Sequence, residues 1–133
     1  MLPLFAFILI VRLSGGHMSE QFTLEHHFAG KAPVVRNIYD TLLSALHEFG
    51  DIIEEPKKSS IHLVNSSALA GIATRKSYLL LNIKSDHKID SERIKKAEKI
   101  SANRYHHEIK LERVDDIDQE LIGWLRAAYE LSA

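Results

Sequence analysis

The chain has 133 residues, 45% of them hydrophobic and 26% charged, which is the length and composition of one soluble domain that can bury a core without staples. Lys+Arg 17 against Asp+Glu 18 gives a formal charge of −1, excluding the global basic excess that marks many nucleic-acid binders but allowing a local patch. The absence of cysteine excludes a disulfide framework, thiol chemistry and cysteine-ligated zinc together.

Met1 to Val11 is almost wholly apolar, and Arg12 and Ser14-Gly15-Gly16-His17 end the run. It is about half of the ~20 residues a membrane helix needs. No positive charge precedes it, so it fits a signal peptide poorly, although Ser14 to Gly16 supply small residues near a possible cleavage point. Met18 opens MSEQFTLEHHF, a plausible start for a soluble protein. Residues 1–17 are therefore expected to be an upstream extension outside the fold, with a signal or anchor as the alternative. Residues 18–133 are expected to be a single globular domain, cytoplasmic and free of the membrane.

Phe22 to Phe28 leads through Ala29-Gly30-Lys31 to Pro33, a residue suited to the first helical position. Val35, Ile38, Tyr39, Leu42, Ala45, Leu46 and Phe49 then fall on one helical face, and Gly50 stands at the C-cap. Asp51 to Pro56 reads as a short extended piece. Ser60 to Lys84 reads as three strands of a meander, punctuated by Asn65-Ser66-Ser67 and Arg75-Lys76-Ser77.

In the third of these strands Leu79, Leu81 and Ile83 share one face while Tyr78, Leu80 and Asn82 share the other. That suits a central strand, or one whose second face meets a ligand or partner. In the middle strand, Ala68 to Thr74, Gly71 suggests a bulge or a close approach, with close helix packing the favoured reason. Asp90 is placed to cap a short helix over Ser91 to Lys99, with Ile94, Ala97 and Ile100 as its stripe. Tyr105 to Glu112 alternates as a fourth strand. Asp115 or Asp116 is placed to cap a last helix carrying Ile117, Leu121, Trp124, Leu125 and Ala128 inward. The expected fold is α/β in the α+β sense: a four-stranded antiparallel sheet with the N- and C-terminal helices on one face, in the order α-β-β-β-α-β-α.

HHFAGKAP at 26–33, PKKSSIHL at 56–63, ALAGIATRKSYLLLNIK at 68–84 and DDIDQELIGWLRAAYE at 115–130 together resemble the bacterial and archaeal family called domain of unknown function 5655, over residues about 20 to 131. The WLRAAY ending, with Trp124 and Tyr129, is its most specific mark. The resemblance implies a compact α/β domain with a binding role and supplies no catalytic residues to transfer. An aromatic often stands in that family where this chain has Leu69 or Ala70, which would alter any pocket built on it.

Eight histidines raise the question of a metal, but His26-His27 and His106-His107 are adjacent pairs that point apart, and no set of three or four convergent ligands can be assembled from the spacing. No metal and no cofactor are expected. His27 and His107 are the candidates for a general base, with ordinary hydrogen bonding the stronger reading. No nucleophile elbow and no phosphate-cradling glycine loop occurs.

The clearest chemical signal is basic: Lys57, Lys58, Arg75 and Lys76 flank strand ends that a meander brings to one rim, with Tyr78 beside them. Such a rim could hold an anion such as a phosphate backbone, or could simply protect the sheet edge from aggregation. The expectation is a binding or regulatory domain rather than an enzyme, with nucleic acid or another anionic partner at that rim, or a protein partner. The alternative is a small-molecule binder or modest enzyme using a cleft between sheet and helices walled by Tyr78, His107 and Trp124.

Overall fold

The computed structural model describes residues 22–133; the expected extension at residues 1–17 lies outside the described residues. The element order is α1 (Leu24–Phe28), α2 (Pro33–His47), β1 (Ile53–Pro56), β2 (Ile61–Val64), β3 (Ala68–Thr74), β4 (Leu79–Ser85), β5 (Ile94–Ser101), β6 (Arg104–Leu111), a 3-10 turn (Val114–Asp116) and α3 (Gln119–Ser132). The strands form one antiparallel sheet in the order β1-β2-β3-β4-β6-β5.

The α+β class holds, but the sheet has six strands rather than four, and the order α-β-β-β-α-β-α is corrected. The extended piece before Pro56 pairs with β2 as an edge strand. The segment read as a helix from Ser91 to Lys99 is largely β5, hairpinned onto β6. Its Ile94, Ala97 and Ile100 spacing is a thin stripe. Only Ile94 is even partly buried among Ile94–Ser101, so the strand shows no alternation to read. Pairing with the free edge of β6 outweighs a weak local preference. Conversely, Leu24–Phe28, which the sequence assigns to no element, is one helical turn whose N-cap Thr23 accepts from the His26 N–H.

One face of the sheet carries the core. Ile61, Leu63, Ile72, Leu79, Leu81, Ile83, Ile109 and Leu111 meet Val35, Ile38, Tyr39, Leu42 and Leu46 of α2 and Leu121, Leu125 and Ala128 of α3, all buried. Pro33 opens α2 and Gly50, with φ 151°, lies just past its end. The cap of α3 is Asp118 rather than Asp115 or Asp116, its carboxylate accepting from Leu121 N–H at 3.0 Å. Asp116 instead closes the 3-10 turn, accepting from the backbone N–H groups of Glu112 and Arg113.

The connection from β4 to β5 runs over the helix-covered side. Ile89 is buried there, its N–H donating to His107 Nε2 at 3.0 Å, and Arg93 donates to Asp118, Glu120 and the Asp116 carbonyl at the start of α3. Helices and crossover thus occupy one face. Among the described residues, nothing covers the other.

Candidate functional site

Strand alternation decides what the uncovered face displays. Because Leu63, Ala70, Ile72, Leu81, Ile83, His107 and Ile109 are turned inward, their neighbours His62, Gly71, Ala73, Leu80, Asn82, Lys84, His106 and Glu108 point outward. The register aligns them in rows. Glu55, His62, Gly71, Asn82, Glu108 and Lys96 stand in turn across the sheet, each opposite the next. A second row, nearer the β3–β4 turn, is Ala73, Leu80 and Lys110.

Small side chains in the middle and larger ones at the sides hollow this face into a trough of about 410 Å³, lined among others by Ser60, His62, Gly71, Arg75, Asn82 and Lys84. Gly71 therefore faces away from the helices, and the close helix packing expected of it is corrected. Leu69 and Ala70, the positions where an aromatic was expected to matter, are buried in the core cluster while their segment borders the trough.

The four cations of the expected rim are brought to one end of the sheet. Lys57 and Lys58 lie in the β1–β2 turn, and Arg75 and Lys76 in the β3–β4 turn; Ile61 at the start of β2 pairs with Ile72 near the end of β3, so both turns share that end. Neither turn is held by the sheet alone. His27 Nε2 donates to the Lys57 carbonyl at 2.7 Å, Thr74 Oγ1 donates to the His27 carbonyl at 2.5 Å, and Ala32 N–H donates to the Lys76 carbonyl at 2.7 Å. α1, through His27, and the segment that joins it to α2, through Ala32, together form a clasp across both basic turns.

The cations themselves are exposed. Lys57 stands 3.7 Å from Glu55, a surface pair worth little. Among the described residues Arg75 reaches only its neighbour's carbonyl, Thr74 O, and it also lines the trough. At the far end Lys84 donates to Ser67 Oγ at 3.1 Å and, among the described residues, pairs with no carboxylate. Partial burial and the nearby charge of Arg104 push its pKa below the ordinary lysine value, so an anion placed there would relieve it.

Tyr78, His107 and Trp124 do not come together as a cleft. Tyr78 lies on the open side with Lys110 Nζ 4.4 Å from its ring centre. His107 is wholly buried on the opposite side, and Trp124 packs on α3 beneath the Arg93 guanidinium. The space between sheet and helices is occupied by the core side chains. Nor is His107 placed as a base: Nε2 accepts from Ile89 N–H, Nδ1 is buried without a partner among the described residues, and burial holds its pKa below the ordinary histidine value. His27, buried and bound to the Lys57 carbonyl, is held down the same way. No group of three His, Asp or Glu side chains among the described residues could hold a metal ion.

A family model described as Domain of unknown function (DUF5655) matches residues 24–132. The chain belongs to that family. The matched span runs from the first residue of α1 to the last of α3, so clasp, sheet and helices are all parts of the DUF5655 unit. No match was found among curated proteins or among solved structures. No helix of the described residues is long and apolar enough to cross a membrane.

The trough itself was only half legible. The alternation of β4 put Leu80 and Asn82 on a second face that could meet a ligand. His62, His106 and Glu108 join them only through the strand order, with β6 beside β4, which spacing along the chain does not convey.

Proposed function

We propose that this DUF5655 domain is a cytoplasmic binding module for single-stranded nucleic acid, which lies along the trough of the open sheet face with its phosphates drawn to Lys57, Lys58, Arg75 and Lys76. The observation that carries this reading is the position of Arg75, which belongs to the basic rim and to the trough wall at once. A strand held at the rim is thereby led onto the sheet, where it meets Lys84 about six residues, or roughly 20 Å, along β4. Exposed cations supply affinity without sequence information, and a sheet face with small central residues leaves room for bases.

Fluorescence anisotropy of labelled single-stranded RNA and DNA, with duplexes as comparison, tests it at several salt concentrations. Neutralising about four phosphates gives a slope of about −3 in log K against log salt for a single strand. Binding that does not depend on salt, or none at all, rejects the proposal.

A second reading has one observation in its favour. The trough volume lies within the range of about 300–1,000 Å³ usual for small-molecule sites. A compact apolar ligand would bind there with little salt dependence, so the same titrations separate the two.

A further inference from the structure

Gly71 is unexplained by the fold. It sits in the interior of β3, paired regularly with His62 on one side and Asn82 on the other. Its φ is not positive; among the described residues only Gly30 and Gly50 have that property. A Cβ built on it would find its nearest neighbour, Asn82 Cβ, at 4.0 Å, an ordinary contact. Neither backbone conformation nor packing therefore requires glycine, and glycine in a strand interior costs stability relative to residues with a side chain. A reason for a bare backbone at this point lies outside the described fold, in whatever rests on it.

The surroundings indicate what that is. Two strand spacings separate His62 from Asn82, about 10 Å between Cα positions, and between them the floor is peptide backbone. Ala73 and Leu80 extend it with apolar surface toward Arg75. Flat, apolar underneath and bordered by polar edges, this space suits a planar heteroaromatic ring lying on the sheet. Asn82 offers one hydrogen-bond donor group and one acceptor, and His62 a ring nitrogen, at the height of such a ring's edge. Arg75 and Lys84 line the trough toward its opposite ends, where charges attached to the ring on either side would fall.

Resting on the single-strand reading above, we infer that Gly71 is the seat of one nucleobase of the bound strand, stacked on the β3 backbone with its edge toward Asn82 and His62. The seat reads a base, whereas the rim holds phosphates.

The test compares an eight-nucleotide single-stranded RNA with an abasic strand of the same length and charge, using the full chain and the variants Gly71→Val, Gly71→Ala and Asn82→Ala, each checked for a melting temperature no lower than the parent's. The parent is expected to prefer the base-bearing strand roughly tenfold, the effect of one stacked base. Gly71→Val should abolish that preference while binding the abasic strand as the parent does, with the same salt slope. Gly71→Ala, which adds one methyl group, keeps the test decisive if valine disturbs the sheet, and should weaken the preference. Asn82→Ala should reduce discrimination among the four bases.

Retention of the parent's preference in Gly71→Val and Gly71→Ala overturns the seat and leaves the strand reading standing. Equal loss of both strands overturns it too, since the glycine would then be meeting the sugar-phosphate chain. Absence of salt-dependent binding by the parent removes the strand reading and the seat with it.

Discussion

The Tyr129 hydroxyl fills the space that a Cβ on Gly50 would need, and donates to the carbonyl of Asp51 at 3.4 Å. The tyrosine ring also packs against Phe49. The end of α2 is thus fitted to α3 by a residue with no side chain and a positive φ of 151°. Gly50 and Gly71 are opposite cases: the fold requires the first and does not require the second.

Gly50→Ala should therefore destabilise, by roughly 1–3 kcal/mol for the backbone conformation alone, with the displaced Tyr129 adding to it. Gly71→Ala should leave stability unchanged or raise it by up to about 1 kcal/mol. Urea unfolding of the two variants against the parent checks both. A Gly71→Ala as damaging as Gly50→Ala would mean that the sheet itself needs the glycine.

Leu121→Ala and Ile38→Ala should each cost about 2–5 kcal/mol, the usual range for buried aliphatic truncations, since both side chains are fully buried between sheet and helices. Chemical denaturation measures this directly. A change under about 0.5 kcal/mol would be a surface effect and would place that helix face outside the core.

These two residues also show what was legible in the chain. The stripes of α2 and α3 have the helical period, and the alternation of β4 and β6 has the strand period, so each reports its own burial. β5 does not, because from Lys95 onward its side chains are exposed and its place is set by hydrogen bonds to β6. The clasp was equally silent: a five-residue helix buries His27 but shows no period. Of the site, the shared end of the two basic turns could be reasoned from a meander. The row from His62 to Glu108 depends on β6 lying beside β4, a long-range pairing.

Acid should loosen the fold through His27 and His107. Burial is the largest cause depressing both, so the unfolded chain takes up their protons more readily than the native state. Stability contributed by the neutral rings is present above the ordinary value of 6.5 and declines as pH falls from there toward each group's depressed pKa. Protonated His107 can no longer accept from Ile89 N–H, near the neighbouring charges of His87, Lys88 and His106. Melting temperature against pH should fall below 6.5, and His107→Gln should make the profile shallower. A profile that is the same in parent and variant would show that His107 is not responsible.

The rim is most directly tested by the variant Lys57→Gln, Lys58→Gln, Arg75→Gln, Lys76→Gln. These side chains are exposed and the clasp holds their turns through backbone carbonyls, so the melting temperature should be nearly unchanged. Binding of single-stranded nucleic acid at low salt should be lost or reduced by orders of magnitude, with the residual salt slope flattened. A folded quadruple variant that binds as tightly as the parent at the same salt would contradict the account, leaving the four cations as protection for the sheet edge.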